Sequence, residues 1–162
     1  MEYQHIVHPF DPIYDSNSRI LILGSLPSVK SRENAFYYGH PQNRFWKLLS
    51  SLCNASMPES IDEKICLLHS SHIALWDVIQ SCDIRGSSDS SIKNVVPTDL
   101  RIILKHAKIQ KIYANGKTAA ALYQKYQLSL TGIKIIPLPS TSPANAAWTM
   151  ERLCEAWKII LE

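Results

Sequence analysis

Four short apolar runs constrain this chain most: residues 20–23, 73–76, 111–114 and 132–138. Each is rich in β-branched or aromatic residues and ends at Gly, Asp, Asn or Pro. That is the pattern of strands buried on both faces. The segments between them repeat apolar residues at helical spacing. Residues 44–52 do so through Phe45, Leu48, Leu49 and Leu52, and residues 58–69 through Ile61, Ile65 and Leu68. Pro97 and Thr98 open a further helix, with Thr98 as its cap and Leu100, Ile103, Leu104 and Ala107 on its apolar side. Residues 117–126 and about 145–161 complete the helices. Strands alternating with helices need right-handed crossovers, so the expected fold is α/β, a mostly parallel sheet with helices on both faces. Residues 1–18 carry no period and read as an extended arm on a single domain spanning 1–162.

Such sheets bind ligands outside the C-terminal ends of their strands. Residues 24–43, 77–92, 115–118 and 139–145 all follow strand ends, so four polar loops share one rim. The densest is the stretch Phe36-Tyr37-Tyr38-Gly39-His40-Pro41-Gln42-Asn43-Arg44-Phe45-Trp46. Flat aromatic faces beside a hydrogen-bonding amide suit a planar, polar ligand such as a nucleobase.

A charged fraction of 19% against 46% hydrophobic residues excludes a disordered chain or a coiled coil. The net charge of +3 permits contact with nucleic acid without requiring it. No run is long enough for a membrane span, and the first residues lack the shape of a signal peptide, so the expected compartment is the cytoplasm. Cys53, Cys66, Cys82 and Cys154 form no C-x-x-C pair and read as reduced thiols, so no metal is expected.

Each motif has a plain reading beside the functional one. Gly24-Ser25-Leu26-Pro27-Ser28 is a strand-to-helix turn that lacks the spacing of a phosphate loop or a dinucleotide fingerprint. Tyr37 and Tyr38 are core aromatics or a stacking platform. Asn43 caps the helix that follows, holds a water, or does both. His40 reads as a loop hydrogen-bonder. Asp77 is a turn cap or reads a base edge. Ser87, in the Ser/Asp loop, and Lys117, at a helix start, are solvated residues or phosphate contacts. Pro139-Ser140-Thr141-Ser142-Pro143 is a stiff hydroxyl loop suited to a phosphodiester.

Together, Gly24 to Ser28, Tyr38 to Trp46, Leu75-Trp76-Asp77-Val78 with residues 86–92, and Leu138 to Pro143 resemble the uracil-DNA glycosylase superfamily. The resemblance spans residues 19–160 or so and is closest to the branch that excises hypoxanthine from DNA. The mismatch-specific uracil/thymine branch shares the His-Pro-x-Asn-Arg-Phe-Trp signature. It implies a three-layer α/β/α sandwich with a short, mainly parallel four-stranded sheet. It also implies a monofunctional hydrolase that works without a cofactor, as a monomer, on DNA containing a deaminated base.

Two departures bear on the chemistry. The residue that directs the attacking water in related branches, an acid or an amide, is Leu26 here. The catalytic His that opens the last motif in the uracil-specific branch is Leu138 here. The hypoxanthine branch uses the Asn of its His-Pro-Gln-Asn motif, which makes Asn43 the expected catalytic residue. It would hold a water through its carbonyl oxygen. The resemblance assigns Gly24, Ser25, Leu26, Tyr38 and Asp77 to the base. It assigns Ser28, Ser87, Lys117, Ser140, Thr141 and Ser142 to DNA. A uracil or mismatch glycosylase, a non-catalytic nucleic-acid-binding relative and a nucleoside hydrolase remain the alternatives.

Overall fold

A computed structural model of the chain describes residues 2–162. In chain order its elements are β1 (Gln4–Val7), β2 (Ile20–Gly24), α1 (Val29–Glu33), α2 (Phe45–Leu52), α3 (Ile61–Ser70), β3 (Ile73–Asp77) and β4 (Ile79–Ile84). There follow β5 (Lys93–Pro97), α4 (Arg101–Leu104), β6 (Lys111–Asn115), α5 (Lys117–Tyr126), α6 (Leu128–Thr131), β7 (Ile135–Leu138) and α7 (Met150–Trp157).

The main sheet has the order β3-β2-β6-β7, and every neighbouring pair is parallel. All five residues of β2 and all five of β3 are buried, so both faces of the sheet are covered and the architecture is the expected three-layer α/β/α sandwich. The chain leaves β2 outward to β3, then crosses back to β6 on the other side. The strand order therefore reverses between β2 and β6, and at that switch point a crevice opens beyond the strand ends.

Helix α2 begins where it does because its apolar face, Phe45, Trp46, Leu48 and Leu49, is buried. Phe45 packs edge-on against Trp157 of α7 with ring centroids 6.1 Å apart. Tyr37 is core rather than rim: it is buried, its hydroxyl donates to the Asp11 carbonyl at 2.8 Å, and burial raises its pKa far above the usual phenol range.

Several local expectations give way to packing. The N-terminal segment is extended but is not a free arm: β1 pairs with β4, Ile13 bridges to Leu75, and His8 is buried. A second, antiparallel sheet, β1-β4-β5, occupies part of the region read as one polar loop. Register shifts between β4 and β5 break the alternation that marks a strand in sequence. Thr98 does not cap a helix; it is buried and donates to the Asp77 carbonyl at 2.8 Å, while Asp99 accepts from the Arg101 N–H at 3.2 Å. Helix α3 is capped by Ser60, which accepts from the Glu63 N–H, and Ile61 points outward. The last helix begins at Met150 behind a Thr149 cap, because residues 145–148 are held in a turn.

Candidate active site

The crevice at the switch point is a cleft of about 320 Å³. Its walls come from the β2–α1 turn, the Tyr38–Asn43 loop, Asp77, residues 84–92, the β6–α5 turn and the Ser140–Ala144 loop. Every residue assigned in sequence to base or DNA lines it: Gly24, Ser25, Leu26, Ser28, Tyr38, Asn43, Asp77, Ser87, Lys117, Ser140, Thr141 and Ser142. His40 stays outside, its Nδ1 accepting from the Gln42 N–H at 3.0 Å.

One wall is a closed network. Asn43 Oδ1 accepts from the Phe45 N–H at 2.9 Å and from the Thr141 hydroxyl at 2.8 Å. The Thr141 hydroxyl in turn accepts from Asn115 Nδ2 at 3.0 Å, and the Thr141 N–H donates to Asn115 Oδ1 at 3.0 Å. The amide of Asn43 is thereby oriented. Its oxygen is spent on the helix start and on Thr141, and its Nδ2 makes no hydrogen bond among the described residues. Thr141 itself is fully buried, so its side chain supports Asn43 instead of reaching a phosphate.

Arg44 locks this wall in place. Its N–H donates to the Thr141 carbonyl at 3.1 Å, and its guanidinium donates to the carbonyls of Ser142 and Asn145, both at 3.1 Å, and of Trp148. One side chain thus ties the hydroxyl loop to α2, with the planar, multi-donor fork that arginine supplies. Neither this clamp nor Asn115 was found from sequence. The Asn at the end of a strand and the Arg beside Asn43 were the available signals.

The floor is Gly24, Tyr38 and Asp77. A β-carbon on Gly24 would stand 2.5 Å from Asp77 Oδ1 and 2.9 Å from the Tyr38 hydroxyl, so only glycine fits. Tyr38 has φ of +53°, and its ring stacks on Phe45 with centroids 4.2 Å apart. One face of the ring is therefore already covered. Burial, then the nearby Asp77 carboxylate, push its hydroxyl far above the usual phenol pKa, with the Asn115 side chain pulling the other way. The phenol stays protonated. Leu26 faces the cleft and packs against the small cluster of Ile79, Cys82 and Ile84. The N–H groups of Ser25 and Leu26 donate to no group among the described residues.

On the rim, Ser87 and Lys117 are exposed. The hydroxyl of Ser28 is committed to α1, accepting from the Ser31 N–H at 3.1 Å and donating to the Ser31 hydroxyl at 3.0 Å. Ser140 Oγ accepts from the Ser142 N–H at 3.1 Å. Thr118 donates to Asp89 Oδ2 at 2.9 Å, which pins the Ser/Asp loop to the start of α5.

A family model described as the uracil DNA glycosylase superfamily matches residues 12–161. The chain belongs to that superfamily. Among relatives, the hypoxanthine DNA glycosylase of Methanosarcina acetivorans is 33% identical, with 93% of this chain and 95% of that protein aligned. The hypoxanthine DNA glycosylase of Methanosarcina barkeri is 36% identical over 84% of this chain and 86% of its own. The solution NMR structure of a uracil-DNA-glycosylase-like protein from Methanosarcina acetivorans superposes with a TM-score of 0.79 at 30% identity, covering 96% of this chain and 98% of that one.

Proposed function

We propose that the chain is a DNA glycosylase that hydrolyses the N-glycosidic bond of a flipped deaminated base, hypoxanthine ahead of uracil, by direct attack of water. The observation that carries this reading is the oriented amide of Asn43 facing a cleft in which Leu26 can direct no water. The names of two relatives support hypoxanthine as the substrate.

Hydrolysis passes through an oxocarbenium-like sugar while the base departs with negative charge. An amide is no base at neutral pH, so Asn43 contributes position. With both sides of Oδ1 taken, it holds the water by donating from Nδ2. The water keeps a lone pair for C1′ and releases its proton to solvent. The free N–H groups of Ser25 and Leu26 are donors for the departing ring, where stabilisation grows as charge develops. The base must leave the duplex, and inosine, which pairs weakly, is the cheaper nucleotide to extrude. Ser87, Lys117, Ser140 and Ser142 on the rim serve the flanking phosphates.

Purified protein on duplexes carrying deoxyinosine, deoxyuridine, deoxyxanthosine or a thymine mismatch tests this. The expected product is an abasic site from deoxyinosine, with strand breakage only after alkali and no borohydride-trapped adduct. Product from deoxyuridine and none from deoxyinosine overturns the substrate. DNA binding without product on any of them favours a non-catalytic relative.

A further inference from the structure

The floor holds a contact that this reaction scheme leaves unused. His8, from the segment before β2, is buried, and its Nε2 donates to Asp77 Oδ2 at 2.7 Å. The two side chains are 1% and 4% exposed. Nδ1 of the same ring rests on the Phe10 backbone, 2.9 Å from the carbonyl oxygen and 3.2 Å from the nitrogen. The imidazole also packs against the rings of Phe10 and Tyr37 at 5.7 and 5.8 Å. It is held on every side.

A buried carboxylate–imidazole pair is a poor device for stability alone, because desolvation offsets much of the attraction. This pair also leaves something over. No group among the described residues donates to Asp77 Oδ1. The Tyr38 hydroxyl is buried, and although the Asn115 side chain approaches it, no group meets it in hydrogen-bond geometry. Both atoms close on Gly24, and both residues line the cleft. An acceptor without a donor and a donor without an acceptor stand side by side, and they do not satisfy each other.

Deamination creates the complement of that arrangement. Adenine presents a ring-nitrogen acceptor beside an amino donor; hypoxanthine presents N1–H beside the O6 carbonyl, and uracil N3–H beside O4. Resting on the glycosylase reading above, we propose that His8 is a positioning residue. It ties down Asp77 Oδ2 so that Oδ1 accepts from the lactam N–H of the deaminated base while the Tyr38 hydroxyl donates to the adjacent carbonyl. The donor bond from His8 also draws charge from a carboxylate that otherwise opposes an anionic leaving ring. The Tyr38 bond to the carbonyl strengthens as that ring gains charge. Guanine carries the same edge with a 2-amino group added, so this pair separates hypoxanthine from adenine and does not by itself reject guanine.

The test is single-turnover excision of hypoxanthine against purine 2′-deoxyriboside, which lacks both the N1 proton and O6, in otherwise identical duplexes. Wild type should favour hypoxanthine at least tenfold. In His8→Ala the hypoxanthine rate should fall at least tenfold and the preference should collapse toward one. His8→Gln keeps an N–H for Oδ2 and should recover most of the preference. An equal slowing of both substrates by His8→Ala, with the preference intact, overturns the proposal and assigns His8 a structural role. Should thermal melting show that neither His8 variant folds, Asp77→Asn decides: an unchanged preference there also overturns it. Failure of the wild-type protein to excise hypoxanthine at all is a separate result, which removes the glycosylase reading beneath it.

Discussion

The two walls of the cleft treat their polar groups in opposite ways. On the Asn43 side the side-chain oxygens are paired: Asn43 Oδ1 with Phe45 and Thr141, Thr141 with Asn115, and the loop behind them with Arg44. On the Asp77 side one carboxylate oxygen, one phenol hydroxyl and two backbone N–H groups lack partners. Buried polar groups cost free energy unless they are bonded. The paired wall is therefore a support, built to hold one amide still. The unpaired wall gives up stability in the free protein, and in the proposed reading its contacts form only with a ligand. Substitutions on the two walls should differ not just in size but in how stability and activity move together.

The largest effect belongs to Asn43→Ala. It removes the amide that the paired wall holds in place, and single-turnover excision should fall at least about 10²–10³-fold, the usual cost of losing one positioned transition-state contact. The loss of an acceptor for the Phe45 N–H adds about 1 kcal/mol of destabilisation. Near-normal excision by a folded Asn43→Ala protein would move the chemistry to the other wall.

Gly24→Ala comes next. Its β-carbon would meet Asp77 Oδ1 at 2.5 Å and the Tyr38 hydroxyl at 2.9 Å, so both groups proposed to read the base must shift. Displacement of that order costs about 10²-fold in rate. Because Asn43 is untouched, the loss should be in excision of a bound base while binding of product DNA with an abasic site persists; unchanged excision would show that the floor is not where the base sits.

Thr141→Val and Tyr38→Phe give the sharpest contrast between the walls. Valine matches threonine in shape but leaves Asn43 Oδ1 with the Phe45 N–H alone and strands Asn115 Nδ2, so unfolding free energy should drop by about 1–3 kcal/mol and excision should slow with it. Tyr38→Phe removes a hydroxyl that has no partner in the free protein. Chemical denaturation should show stability unchanged or raised, while excision falls about tenfold. If Tyr38→Phe destabilises as Thr141→Val does, the hydroxyl is bonded in the free protein and the two walls are alike.

Legibility in the sequence followed the same division. The parallel strands were visible because burial on both faces leaves an unbroken apolar run, as in residues 20–23 and 73–76. The small antiparallel sheet was not, because β4 carries Gln80, Ser81 and Asp83 among its apolar residues and its pairing with β5 shifts register. Loop residues gathered at one rim because strand direction alone puts them there. What each one does there was harder to see. Thr141 read as a phosphate ligand, since a hydroxyl in a Pro-Ser-Thr-Ser-Pro loop carries no sign of being buried beneath Asn43. His8 was invisible: its partner Asp77 lies 69 positions away, and residues 1–18 have no period to suggest that they enter the core.

The smallest expected effect sharpens the comparison by leaving the cleft altogether. Gly132 has φ of +69° at the end of α6, and a β-carbon there would meet nothing within 4 Å. Gly24 is required by what surrounds it, Gly132 only by its own backbone. Gly132→Ala should therefore cost about 1 kcal/mol, the penalty for a left-handed conformation in a residue with a β-carbon. Excision of hypoxanthine should stay at the wild-type rate, because α6 contributes nothing to the cleft walls. Thermal melting and single-turnover excision on the two glycine variants, measured together, separate strain in the fold from obstruction of the site. A loss of activity at Gly132→Ala comparable to that at Gly24→Ala would mean that excision tracks stability, and that the close approach of Asp77 and Tyr38 to Gly24 has no special part in it.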